Sequence, residues 1–380
     1  MSFVTAHDGL VFIGSGDFLQ VFKIGNETEP LASAFNAWDQ IDEKLVQNPD
    51  FEKEKSVKKD EKRVILCLSH SNVSNNRRLL AVGTNKKQIH VIEYFTDDNG
   101  QFLRSEHVIT AIVPKAPTAV TFDREDAYVI IGDRAGDVYR FSIAEGKAVE
   151  MAGAISMILD VGFTPSGRQL LMTDRDEKLR VMRYPETYVI DAYCLGHTEY
   201  VKTMACVAED NVWSAGGDKK ILNWSFTDST KPRVTVDLSE YEKAIRKIVF
   251  NAKFNRLAVL LEGSDRLITI DITSSPPQKS VFQVCREGEY LDLAVDGDHF
   301  VVLGRSSILT VNAGDLSYKH VQLNEQLADS LKNTQDAVSN LYKNVTHNNQ
   351  AEYEKRKAEK FEQIEQKKRK VGGSAVTAEA

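Results

Sequence analysis

His197, Ser214 and Asp218 are the residue types of a nucleophilic triad, in which a hydroxyl attacks, an imidazole takes its proton and a carboxylate orients the ring. Such a triad also needs an oxyanion hole and a cleft, and nothing in the sequence announces either. "IGSGDF" at Ile13–Phe18 has the look of a nucleotide-cradling loop. A loop of that kind opens a helix whose N-terminus meets the ligand, whereas Leu19, Gln20, Val21 and Phe22 continue as a strand, so a hairpin turn is expected. Cys67, Cys194, Cys206 and Cys285 are far apart and form no C-x-x-C pair, so no metal site is expected and reduced thiols are the natural reading. Two charged stretches remain. Lys367, Lys368, Arg369 and Lys370 are four consecutive cations, suited to nuclear import, to RNA phosphate or simply to a solvated terminus. In "DRDEKLR", six of the seven residues are charged: Asp174, Arg175, Asp176, Glu177, Lys178 and Arg180.

The chain that must position these groups has 380 residues, 42% hydrophobic and 27% charged, as in a globular protein. No apolar run reaches the roughly 18–20 residues that span a bilayer, and the opening "MSFVTAHDGLVF" lacks the basic and apolar parts of a secretory leader. No membrane partner is therefore expected. The net charge of −7 argues against a surface given over to gripping nucleic acid.

Repetition organises the chain. An aliphatic-x-x-apolar pattern ends at Phe22, Ile92, Phe141, Met182, Trp224, Ile270 and Val311, with gaps of 70, 49, 41, 42, 46 and 41 residues. A period of roughly 40–45 residues is that of a WD40 propeller blade of four short strands. The strands are directly legible: "VKTMACVA", "NVWSAGG", "KILNWSF" and "PRVTVDL" follow one another, bounded by turn residues. The fold expected is all-β, a seven-bladed WD40 β-propeller over residues 1–323. In that frame His197, Ser214, Asp218 and Trp224 of blade 5 are the WD40 side-chain pattern, expected to hydrogen-bond in series and lock the blade. Lys86, Lys87, Arg134, Arg175, Lys178, Lys219, Lys220, Arg266 and Arg305 fall in matching turns and would share one rim.

The first gap is long because of a charged insertion at 26–63, whose latter half reads as a mobile loop and whose "LASAF" is a candidate outer strand. Residues 324–380 form a tail. Leu327, Leu331, Val338, Leu341 and Val345 recur near helical spacing, so a docked helix is expected, followed by a disordered basic end.

The dense charge of the 174–180 stretch sits in a turn between strands. Exposed ion pairs contribute only about 0–1 kcal/mol, so a solvated hairpin and a site matching a partner's charges both stay open on physical grounds. "DRDEKLRV" at Asp174–Val181, "LGHTEYV" at Leu195–Val201 and "SAGGDKKILNW" at Ser214–Trp224 resemble the non-catalytic WD-repeat subunit of eukaryotic tRNA (guanine-N7-)-methyltransferase. The close match covers blades 4 and 5, and Trp224 is followed by Ser225 where the WD pattern has Asp. The resemblance implies a scaffold with no cofactor of its own. It would hold a separate catalytic subunit, which binds S-adenosylmethionine, in the conformation that methylates a guanosine in the tRNA variable loop. It further implies that Asp174, Arg175, Asp176, Glu177, Lys178 and Arg180 belong to the subunit interface, that the complex is a heterodimer, and that it works in the nucleus, with the cytoplasm a second site. A generic nuclear WD40 adaptor serving another complex is the rival reading.

Overall fold

The computed structural model describes residues 2–24, 45–46, 62–72, 77–283, 288–323, 325–332 and 341–342. Their strands form seven sheets in chain order, the blades of a propeller. Blades 1 to 7 cover residues 2–23, 65–112, 117–153, 158–195, 201–237, 245–283 and 290–322. Each is an antiparallel meander whose neighbours in space are neighbours in sequence. The described part of blade 1 has three strands. "IGSGDF" is its second hairpin, with Ser15 paired to Phe18 across the turn.

Burial explains the strand sequences. Each sheet packs between two others, so a blade's second strand is covered on both faces and reads as an apolar run. Gln169–Asp174 and Arg256–Leu261 are buried at every residue after the first. The fourth strands form the periphery, and Val234–Asp237 alternates between half-buried and exposed. Between blades 4 and 5 lies a cluster of Leu171, Leu179, Val181, Cys194, Leu222 and Trp224.

Side chains of the first strands tie blade to blade by bonding the next strand's backbone. Thr118 Oγ1 donates to the Ile158 carbonyl at 2.6 Å, and Asp160 Oδ2 accepts from Met204 N at 3.0 Å. Between blades 1 and 2, Thr5 Oγ1 meets His70 Nδ1 at 2.6 Å, and burial pushes the His70 pKa down to about 4, so the ring is neutral. The ring closes where blade 7 meets blade 1. Asp292 Oδ2 accepts from Val4 N at 2.7 Å, Asp296 Oδ2 accepts from Gly9 N at 2.7 Å, and Lys247 Nζ lies 3.0 Å from Asp292 Oδ1.

Two elements are added to the ring. Leu45–Val46, from the insertion, pairs in parallel with Thr110 and Ala111 and gives blade 2 a fifth strand. The rest of 26–61, "LASAF" included, lies outside the described residues. Of the helix expected over Leu327 to Val345, Glu325–Lys332 is present, and Val338 and Val345 lie outside the described residues. Leu327 and Leu331 are buried among Val4, Val11, Ile13, Leu303 and Ile308, at the seam of blades 1 and 7. Arg305 Nη1 donates to the carbonyls of Leu331 at 2.8 Å and Lys332 at 3.0 Å, satisfying groups that a helix C-terminus leaves open.

Asp292→Ala would leave the Val4 N–H and the Lys247 ammonium without their buried acceptor. The expected loss is about 1–3 kcal/mol, read as a lower urea midpoint, with Asp265→Ala, on a side chain 43% exposed, unchanged as the control. Equal midpoints for the two variants would show that the closure does not depend on Asp292.

Candidate functional site

Ser214 and Trp224 are wholly buried, on adjacent strands of blade 5. Ser214 Oγ lies 2.8 Å from Trp224 Nε1, which donates to it, and 2.7 Å from His197 Nε2. His197 Nδ1 is 2.9 Å from Asp218 Oδ2, with side-chain exposures of 0% and 2%. With the carboxylate accepting from Nδ1, the Ser214 hydroxyl donates to Nε2. Its oxygen is boxed in by indole and imidazole, and no carbonyl substrate can approach it. What the set does is mechanical. It ties the connector from blade 4 to blade 5 down against the blade 5 strands, aided by Thr198 N donating to Asp218 Oδ2 at 3.3 Å. Gly196 fits there because a Cβ would come within 2.8 Å of the Trp224 ring.

The 174–178 turn joins the second and third strands of blade 4, Gln169–Asp174 and Lys178–Arg183. Asp174 is 3% exposed. Its Oδ1 accepts from Asp176 N at 2.8 Å and from Lys178 N at 3.1 Å. Burial raises the Asp174 pKa, while those amides and the Lys178 charge pull it back. Asp133 and Asp218 do the same work in blades 3 and 5, accepting from Ala135 N and Lys220 N. Asp174 is thus the positioning residue of the turn, and Glu177 takes the left-handed conformation, φ 71°, that the tight reversal requires.

The other charges divide. Arg175 N donates to the Met157 carbonyl at 3.0 Å, and Arg175 Nε donates to the Leu341 carbonyl at 2.9 Å. Arg180 Nη1 donates to the Gly153 carbonyl at 2.8 Å, with its guanidinium 5.2 Å from the centre of the Tyr193 ring. Asp176, Glu177 and Lys178 form a half-buried tip. The structure therefore brings all six residues to one edge of blade 4, two of them holding the connector from blade 3 at both its ends. The basic residues of matching turns do share the corresponding hairpins of the other blades, but Arg305 is engaged by the helix. Lys367, Lys368, Arg369 and Lys370 lie outside the described residues.

The "tRNA methyltransferase TRM82 WD40 domain" family matches residues 26–152 and 147–304. A Caenorhabditis elegans protein named tRNA (guanine-N(7)-)-methyltransferase non-catalytic subunit is 52% identical over 373 residues, 98% of this chain and 96% of its own length. This chain belongs to that family. A Danio rerio non-catalytic subunit of the same enzyme, wdr4, is 30% identical over 298 residues, 69% of this chain and 71% of its own. Membership makes this a non-catalytic tRNA methyltransferase subunit, which implies a separate catalytic partner. A chain of the crystal structure of the mitotic checkpoint complex superposes with a TM-score of 0.60 at 14% identity, covering 85% of this chain and 90% of that one, a likeness of fold alone.

Sequence reasoning missed Ile155, Tyr193 and Leu195, which flank the turn and are exposed. "IDAYCL" offers apolar residues in both strand phases, and only the packing of Ala192 and Cys194 against blade 5 shows which phase faces out.

Asp218→Ala should cost the propeller about 1–3 kcal/mol by leaving the His197 ring without its buried acceptor. Folded protein should keep its affinity for a partner. Thermal melts and a binding titration on one preparation check this; an unchanged melt with abolished binding would contradict a structural role.

Proposed function

We propose that this propeller holds the catalytic subunit of tRNA guanine-N7 methyltransferase in an active conformation, as a one-to-one heterodimer, through the charged edge of blade 4. The observation that carries the reading is the geometry of the 174–178 turn. Asp174 fixes its backbone, and Arg175 and Arg180 fasten the neighbouring connector, so Asp176, Glu177 and Lys178 are displayed in one arrangement. A displayed set of mixed charges recognises a partner's charges at low ordering cost and suppresses mismatched partners. The relatives' names supply the partner's class.

The chemistry belongs to the partner, which on this reading binds S-adenosylmethionine and presents the variable-loop guanosine of the tRNA. The propeller supplies position: it holds a surface of the catalytic subunit in the shape that the reaction uses. The complex works in the nucleus, with the cytoplasm a second site, and the cations Lys367, Lys368, Arg369 and Lys370 serve import or touch tRNA phosphate.

Lys178→Glu and Asp176→Lys test the reading in a titration of the two purified subunits. Both sites are half-buried turn positions, so the isolated propeller should lose at most about 1 kcal/mol. Removing a desolvated interfacial charge costs about 2–5 kcal/mol, which is roughly 30-fold to a few thousand-fold in affinity. Reversal adds like-charge repulsion, and methyl transfer at limiting propeller should fall in step. Wild-type affinity in both variants would place the interface elsewhere.

A further inference from the structure

Of the nine large hydrophobic side chains exposed among the described residues, five lie between 155 and 195: Ile155, Tyr188, Ile190, Tyr193 and Leu195. Single exposed apolar residues are ordinary, but a cluster marks an interaction surface. The repeat makes the comparison sharp. Opposite the first residue of the third strand, blades 3 to 7 carry Gly153, Leu195, Asp237, Gln283 and Gln322 on their fourth strands. Blade 4 alone among these places a large apolar residue there, paired with Lys178 of the charged turn; blade 2 has Ile112 at the matching place, but it is half-buried, whereas Leu195 is exposed. Two residues back, Tyr193 is paired with Arg180, where blades 5 and 7 have Thr235 and His320 and blade 6 has Val281, which is also exposed but has no exposed apolar neighbour opposite Arg266, where Gln283 stands.

Ile155 completes the group and is 99% exposed. It sits midway in the connector whose ends are fastened by Arg180 at Gly153 and by the Arg175 amide at Met157. Its two neighbours are pressed onto the blade 3 hairpin: Ala154 N donates to the Gly136 carbonyl at 2.7 Å. A Cβ at Gly136, φ 110°, would come within 2.3 Å of the Ala154 oxygen and 2.7 Å of the Ser156 oxygen, so only glycine lets the connector lie this close. The isoleucine is held out by a rigid backbone. A side chain so exposed gains nothing for folding, whereas a rigid apolar anchor binds a partner without an ordering cost.

We propose that Ile155, Tyr193 and Leu195 form an apolar ledge that receives aliphatic or aromatic side chains of the catalytic subunit, continuous with the charged turn. This rests on the reading that the turn meets that subunit. The ledge supplies most of the affinity by excluding water, and the turn sets orientation and partner choice. The occupant is argued from continuity: Leu195 pairs with Lys178, Tyr193 lies beneath Arg180, and Ile155 is two residues from the carbonyl that binds the turn.

The test titrates the catalytic subunit with wild-type propeller, Ile155→Asp, the double variant Ile155→Ala with Leu195→Ala, and Lys178→Glu. It is run at ionic strengths of about 0.1 M and about 1 M, between which the screening length falls from about 10 Å to about 3 Å. The ledge variants should melt as wild type and bind about tenfold or more weakly at both salts. The Lys178→Glu defect should shrink at high salt. Ledge variants that bind like wild type beside a weakened Lys178→Glu would overturn the ledge and leave the turn's role intact. If none of the variants is weakened, both readings fail together. A ledge defect seen only in self-association, or one abolished by removing residues 343–380, would assign the ledge to a second copy or to the chain's own tail, and the proposal would be wrong.

Discussion

Asp174 accepts the amide hydrogens of Asp176 and Lys178 from inside a hairpin that is otherwise all charge. A buried carboxylate is stable only if its lone pairs are used, and here they are used to set the backbone of the turn. Everything proposed for blade 4 depends on that. The set turn offers the Arg175 amide to Met157, and the third strand that follows it carries Arg180 to Gly153. Those two bonds hold the connector on which Ile155 stands. On the far side of the blade, the series from Trp224 through Ser214 and His197 to Asp218 anchors the connector that follows Leu195. The blade's edge is rigid because buried polar groups have nowhere else to bond.

The ring itself explains why a partner surface is proposed at an edge. A sheet packed on both faces has no surface to offer except its turns and its outermost strand. Blade 4 differs from its neighbours in those places, while its second strand, Gln169–Asp174, is as apolar and as buried as theirs. Membership in a family of non-catalytic subunits fits a molecule whose Ser214–His197–Asp218 series is sealed under an indole.

How much of this the sequence shows depends on how local the cause is. The blade count follows from the aliphatic-x-x-apolar pattern of the third strands, ending at residues such as Met182, Trp224 and Ile270, which are buried between neighbouring sheets. The series centred on Ser214 follows from residue types at a repeat position, and the helix over 325–332 from Leu327 and Leu331 at helical spacing. What stays hidden is set by partners distant in the chain. Leu45–Val46 becomes a strand because the outer edge at Thr110 and Ala111 is open to it. Arg175 meets the carbonyl of Leu341, 166 positions away. Ile155 looks like a core residue in the sequence, and only the close approach at Gly136 shows that its backbone is turned outward. In the charged turn itself, the sequence presents six equivalent charges, and the structure separates the one that folds the turn and the two that hold the connector from the three at the half-buried tip.

Hydrogen exchange of the propeller, alone and saturated with the catalytic subunit, tests the central claim that blade 4's edge is where the partner sits. The amides of 154–157, 175–178 and 190–195 should exchange more slowly in the complex, while those of the blade 7 and blade 1 seam keep their rates. Protection confined to other blades, with the blade 4 edge exchanging as it does in the free propeller, would contradict the account.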